Sequence, residues 1–247
     1  MEEKLFQDYS KKSVHFYDES FPFFLKLGFD WISTVEKPRI VDLGCGDGKL
    51  LNALYQKGLL NGFSEIIGVD ISSDRIERLK KELPFVKGVI SDASSVKGCV
   101  SSFFDLIICS QVIEHVRNDE SLIIEIYRLL KCNGVAYIST VMKHWYGVYF
   151  YFKNGSFRLD PTHIREYLSS DEFVSLIKSK GFKIININTH QIAFPIVDLL
   201  YRLFIKFGFA QPDPSFFQKH KFLAKMRKLV MPIVGYNHID VLVTKNE

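Results

Sequence analysis

The chain has 247 residues, 47% of them hydrophobic and 24% charged, with 15 glycines and 8 prolines, which excludes a disordered, collagen-like or low-complexity protein. At this length a sizeable core forms without disulfides or structural metal, and four cysteines (Cys45, Cys99, Cys109, Cys132) without a C-x-x-C pair point to a reducing compartment. The formal net charge of +4 is concentrated, because residues 191–235 hold seven lysines and arginines against two aspartates.

Met1 to Leu5 offers no basic region followed by an apolar core, so a cytoplasmic location is expected. From residue 38 to 140, short β-branched runs alternate with amphipathic ones, the pattern of βαβ units on a parallel sheet. Strands are predicted at 39–43, 66–69, 86–90, 104–109 and 135–139, with helices at 48–57, 73–82 and 120–130. The third helix closes on Lys131-Cys132-Asn133-Gly134, where Gly134 is expected to take the left-handed position. Residues 144–152 are aromatic-rich and suit either a pocket wall or a packed hairpin. Ser169 to Glu172 reads as a capping box before a helix at 173–180 ended by Gly181. Strands then follow at 183–188 and 239–244. Between them, 196–209 and 216–229 have the spacing of amphipathic helices. The apolar stretch 192–210 carries Asp198, Arg202 and Lys206 at steps of four, so no transmembrane helix is expected there.

The most specific run is Ile40-Val41-Asp42-Leu43-Gly44-Cys45-Gly46-Asp47-Gly48, an apolar strand that enters a glycine-rich turn at a helix start. Glycines there let the backbone come close to a ligand, and the amides opening the next helix favour an anion. Further on, Ile66-Ile67-Gly68-Val69-Asp70 is a second strand ending in a carboxylate, placed to accept hydrogen bonds from a ribose diol. Together they describe an adenosine-containing ligand. The turn reads G-x-G-x-G, not the G-x-G-x-x-G of nicotinamide dehydrogenases.

With these residues the sequence resembles the class I S-adenosylmethionine-dependent methyltransferases, and with Glu114-His115-Val116 and Asp160-Pro161-Thr162-His163 it resembles the ubiquinone-type and related small-molecule enzymes within that broad group. The resemblance implies an α/β, Rossmann-like seven-stranded sheet, mostly parallel with a reversed last strand, and helices on both faces. It implies S-adenosylmethionine as cofactor, with Asp42, Gly44, Cys45 and Gly46 around its methionine end and Asp70 with Ile71 at the ribose. Asp92 with Ala93 would lie beside the adenine, and Gln111 in the turn after the fourth strand would reach the methionine end; a helix cap is the plainer role for Asp92. It further implies three regions: an N-terminal helical lid at 1–37, with Tyr9 or Tyr17 closing the cleft, a cofactor-binding domain at 38–190 and 236–247, and a basic helical cap at 191–235.

A sulfonium methyl is electrophilic, so the protein must align a nucleophile behind it and help remove a proton. Histidine matches pH 7 best. His163, in Asp160-Pro161-Thr162-His163, and His115, in Glu114-His115-Val116, are the candidates. Arg165 is set either to orient an anionic group or to pair with Glu166 or Asp160. No metal-ligand spacing is present. The expected acceptor is a small, apolar or lipid-like molecule, with peripheral membrane contact through 191–235 and no nucleic-acid partner. The alternatives are a non-catalytic adaptor working through its basic insertion and an RNA methyltransferase.

Overall fold

The computed structural model describes residues 16–17, 21–149, 151–153, 155–211, 213 and 215–245. The N-terminal lid therefore lies partly outside the described residues, and Tyr9 wholly so. The first helix, α1, is Phe23–Trp31. Strand β1 (Arg39–Leu43) leads into α2 (Lys49–Gln56), β2 (Glu65–Asp70) into α3 (Ser73–Glu82), and the short β3 (Lys87–Ile90) follows. Next come β4 (Phe104–Ser110), α4 (Asp119–Leu129), β5 (Leu130–Lys143) and a small hairpin of β6 (Tyr151–Lys153) and β7 (Ser156–Arg158). Helix α5 (Ser170–Ser179) and β8 (Phe182–Pro195) complete the framework, with α6 (Ile196–Lys206), α7 (Phe216–Lys219) and α8 (Lys221–Met226) ahead of β9 (Val230–Lys245).

The seven strands run in the order β3-β2-β1-β4-β5-β9-β8. Strand β9 is antiparallel to both neighbours, and the β1 to β5 pairs are parallel. This is the expected sheet with its reversed last strand. Its core has two layers set by period-two alternation: Val41, Leu43, Ile107 and Cys109 face α4 and α5, whereas Ile40, Leu106 and Ile108 face α1, α2 and α3. The order reverses between β1 and β4, and their carboxyl ends open a crevice where open α/β sheets bind ligands.

Several local expectations shift. Asn133, not Gly134, takes the left-handed position (φ 62°); Asn tolerates it because its short polar side chain bonds locally. At Gly134 a Cβ would stand 3.0 Å from the Lys131 carbonyl oxygen and 3.2 Å from that of Asp105, so space is what requires glycine there. In the α5 box, Ser169 accepts from the Glu172 amide at 3.2 Å, and Glu172 reaches back one residue further than usual, to the Leu168 amide. Of the aromatic run, Tyr149 packs against Phe194 and Tyr236 and lines a cavity with Tyr151, whereas Trp145 is exposed.

The insertion is an outgrowth of the sheet rather than an interruption. Strands β8 and β9 stay paired to Pro195↔Val230, so only their tips carry the cap helices. The second expected helix is split at His220, and α6 ends at Lys206. Charge on α6 is answered within the cap, where Arg227 grips Asp198 through two bonds of 2.7 and 2.9 Å. Phe16 joins the cap core, packing edge-on against Phe217 at 5.1 Å and beside Tyr201 at 5.3 Å.

Candidate active site

A cavity of about 2340 Å³ lies over the carboxyl ends of β1, β2 and β4 and beneath the cap. Single-ligand pockets occupy roughly 300–1,000 Å³, so this one has room for two molecules. Gly44, Asp70, Ile71, Asp92, Ala93, Gln111, His115 and His163 all line it, whereas Asp42, Cys45 and Gly46 stand behind its wall.

The floor is the glycine turn. Gly44 is left-handed (φ 71°), and a Cβ there would sit 2.3 Å from Val112 Cγ2. Conformation and packing both demand glycine. The amides of Gly44 and Cys45 bond to the Val69 carbonyl at 2.7 and 2.9 Å, and Asp70 braces the turn further. Its Oδ2 accepts from the Gly46 amide and its Oδ1 from the Ser72 amide, each at 2.9 Å. Tyr17 closes the turn from above by donating to the Asp47 carbonyl at 2.6 Å.

Burial pushes the carboxyl of Asp42 up to about 8, and the nearby charge of Asp70 adds to this. Burial raises Asp70 as well, against the opposing influence of Arg75 and its two amide donors. A raised carboxyl costs stability as pH climbs from the ordinary carboxylate range towards 8, because the unfolded chain releases the proton that the fold retains. Asp42→Asn cannot ionise. It is expected to melt roughly 5 °C or more above the parent at pH 8, with a clearly smaller gap at pH 5 and none below the ordinary carboxylate value near pH 4. Thermal denaturation of the cofactor-free protein at both pH values checks this, and equal gaps would contradict it.

Asp92 Oδ1 accepts from the amide and hydroxyl of Ser94 at 2.8 and 2.7 Å, so it does cap a turn while also lining the cavity. Gln111 is left-handed (φ 58°), a conformation uncommon outside glycine and a mark of constrained sites. Its side-chain amide donates to His238 Nδ1 at 3.0 Å, which requires the unprotonated nitrogen. Burial agrees by pulling His238 down to about 4, with the neighbouring His190 adding to it.

The two candidate histidines meet, with ring centroids 4.8 Å apart in an edge-to-face arrangement. His163 is 4% exposed and bonds through Nδ1 to Glu166 Oε1 at 2.8 Å. Burial pulls His163 down, yet the Glu166 hydrogen bond and the charges of Glu114 and Asp160 outweigh it and hold the imidazole above its ordinary value. Burial and the charge on His163 push His115 the other way, to about 4. Glu114, fully buried, accepts from the Thr140 hydroxyl at 2.9 Å. Arg165 neither orients an anion nor pairs as expected. Its guanidinium donates to the carbonyls of Ile113, Val116 and Arg117 and pairs with Asp119, binding the loop after β4 to the His163 loop. Sequence reading missed Thr162 as the partner of His115, which that cross-tie brings over, and the local pair of His163 with Glu166.

Residues 15–187 match the family model described as a methyltransferase domain. The chain belongs to this family, the class I S-adenosylmethionine-dependent methyltransferases. Among curated relatives, the methyltransferase is 30% identical over 119 residues to the ubiquinone biosynthesis O-methyltransferase of Rickettsia typhi, covering 47% of this chain and 45% of that protein. It is 22% identical over 175 residues to the enzyme of that name from an Azoarcus species, covering 66% and 72%. The chain spans less than half the length of the first of these. Among solved structures, a putative methyltransferase from Bacillus halodurans superposes with a TM-score of 0.61 at 14% identity, covering 90% of this chain and 99% of that one. The [4+2]-cyclase SpnF superposes at 0.60 with 16% identity, covering 99% and 93%. That pair shows the fold shared by this methyltransferase and leaves its chemistry to the site.

Proposed function

We propose that this methyltransferase moves one methyl group from S-adenosylmethionine to an oxygen, nitrogen or carbon of a small, apolar or lipid-like acceptor. The observation that carries the reading is the braced turn at the strand-order reversal, where Asp70 holds Gly46 and Ser72 together under a cavity large enough for donor and acceptor. The donor set suits the cofactor. Each Asp70 oxygen has a second lone pair available to a ribose diol. Ile71 and Ala93 offer apolar surface to a flat base, and Asp92 offers a carboxylate to its amino group. In this reading Gly44 and Gln111 meet the methionine end, while Asp42, Cys45 and Gly46 keep the turn in shape from behind. The bound cofactor supplies a methyl group on a cationic sulfur. What the chain adds is alignment, exclusion of water by the cap and Tyr17, and help from His163 and His115 in losing the acceptor's proton. Incubation with methyl-labelled cofactor and a panel of apolar phenols and amines tests the reading. Labelled product extractable into organic solvent is expected, and cofactor binding without product from any acceptor would favour the adaptor role.

The cap supports membrane contact as part of this reading. Ile196, Leu200, Leu203 and Phe204 of α6 and then Phe207 are exposed at a spacing that shares one side of a helix. Phe209 and Phe222 are exposed as well, as are the cations Arg202, Lys221, Lys225 and Lys228. Apolar surface fringed by cations suits an anionic bilayer, which would deliver an apolar acceptor to the cavity mouth. Among the described residues no helix is long and apolar enough to cross a membrane. The protein is expected to sediment with vesicles containing phosphatidylglycerol and to lose most of that binding in Phe204→Ser/Phe207→Ser; no sedimentation of the parent would contradict the contact.

A further inference from the structure

We propose that Glu114, His115 and His163 bind one divalent cation at the acceptor end of the cavity, an inference that rests on the methyltransferase reading only for what the ion meets there. One ligand atom from each residue lies within 4.8 Å of the others, and all three residues line the cavity. Their hydrogen bonds fix which atoms remain for a metal. The Thr162 hydroxyl gives its proton to Asp160 Oδ1 at 2.5 Å, so at 3.0 Å from His115 Nδ1 it accepts. His115 therefore carries hydrogen on Nδ1 and a lone pair on Nε2. Glu166 accepts from His163 Nδ1, which leaves Nε2 of His163 for a ligand. Imidazoles backed in this way by a carboxylate or hydroxyl are the second-layer arrangement that orients metal-binding histidines.

Glu114 gives an independent sign. It is 0% exposed, with Oε2 satisfied by Thr140, yet Oε1 has no hydrogen-bond partner among the described residues. A buried carboxylate oxygen left bare is costly, and a cation answers it. The segments that carry the three ligands are clamped together: the Ile164 amide bonds to the Glu114 carbonyl at 2.8 Å, and Arg165 ties the same loop through three carbonyls. Metal–ligand bonds of about 2.0–2.2 Å need the ligand atoms within about 4 Å of one another, so side-chain rotations of under about 1 Å complete the set. Two imidazoles and one carboxylate suit Zn²⁺, Mn²⁺, Fe²⁺ or Co²⁺ and leave a coordination position facing the cavity. An acceptor hydroxyl held there would lose its proton to solvent more readily, so the two histidines would promote deprotonation through the ion. The ligands come from loops far apart in sequence, which is why no short motif records them.

Co²⁺ is the probe that tests the site. Chelator-treated protein titrated with CoCl₂ is expected to develop visible d–d absorption that saturates at one equivalent and is displaced by Zn²⁺. Glu114→Gln and His163→Gln should each weaken Co²⁺ binding at least 100-fold. Thr162→Val, which keeps all three ligands, should weaken it by about 10–100-fold. S-adenosylmethionine affinity, titrated in parallel, should not change in Thr162→Val. Loss of cofactor binding in the parent would count against the methyltransferase reading and leave the Co²⁺ result standing. Absence of a one-equivalent Co²⁺ complex in the parent, or unchanged Co²⁺ affinity in Thr162→Val, overturns the site, and the latter decides the matter even where the other variants fail to fold.

Discussion

Asp70→Ala is expected to weaken S-adenosylmethionine binding at least about 100-fold while leaving a folded protein. The Asp70 carboxylate makes two hydrogen bonds of 2.9 Å to the amides of Gly46 and Ser72, and in the proposed complex it also receives the ribose. Hydrogen bonds to charged groups contribute roughly 1.5–3 kcal/mol each. Loss of the ribose contact and loosening of the turn together therefore exceed the roughly 2.7 kcal/mol of a hundredfold change. Part of the loss falls on the fold itself, since two amides are left without their acceptor, and a lower melting temperature should accompany the lower affinity. Strands β1 and β2 keep their register through backbone pairing and core burial, so the sheet survives. Calorimetric titration alongside a melting curve checks both parts, and an unchanged dissociation constant would remove Asp70 from the cofactor site.

His163→Ala carries the second large effect. The maximal rate of methyl transfer is expected to fall by about 10²–10⁴, the usual contribution of a group that assists proton transfer, with the donor's KM nearly unchanged. His163 lies beside His115 and Glu114, on the cavity wall contributed by the loops after β4 and β7, whereas Asp70 and Ile71 lie at the end of β2. A rate loss confined to kcat therefore separates the acceptor end from the donor end. A fall in donor affinity of the same size would show that the histidine supports the fold of the cavity and not the reaction.

The framework was legible because its signals are local. Alternating β-branched runs, the glycine turn from Gly44 to Gly48, and the capping box at Ser169 each act within a few residues, and the strands predicted from the runs are present in the sheet. Strand lengths were underestimated where pairing partners decide them. Strand β9 begins at Val230 and β8 runs to Pro195 because each stabilises the other beyond the sheet's core, a nonlocal effect that periodicity does not carry. The left-handed position was assigned to Gly134 because its glycine is needed for another reason, the close approach of the Lys131 and Asp105 carbonyls. At the site, Asp70, Ile71, Ala93 and Gln111 could be placed from motif position. The pairing of His115 with Thr162 could not, since it joins two distant loops that Arg165 draws together, whereas His163 and Glu166 pair locally, three residues apart.

The central claim is that the glycine turn and Asp70 form a site for S-adenosylmethionine. Calorimetric titration of the purified protein with S-adenosylmethionine, S-adenosylhomocysteine and NAD tests it most directly. Micromolar, one-to-one binding of the two sulfur nucleosides with no measurable heat from NAD is the predicted result. Binding of NAD in their place, or of none of the three, would contradict the account.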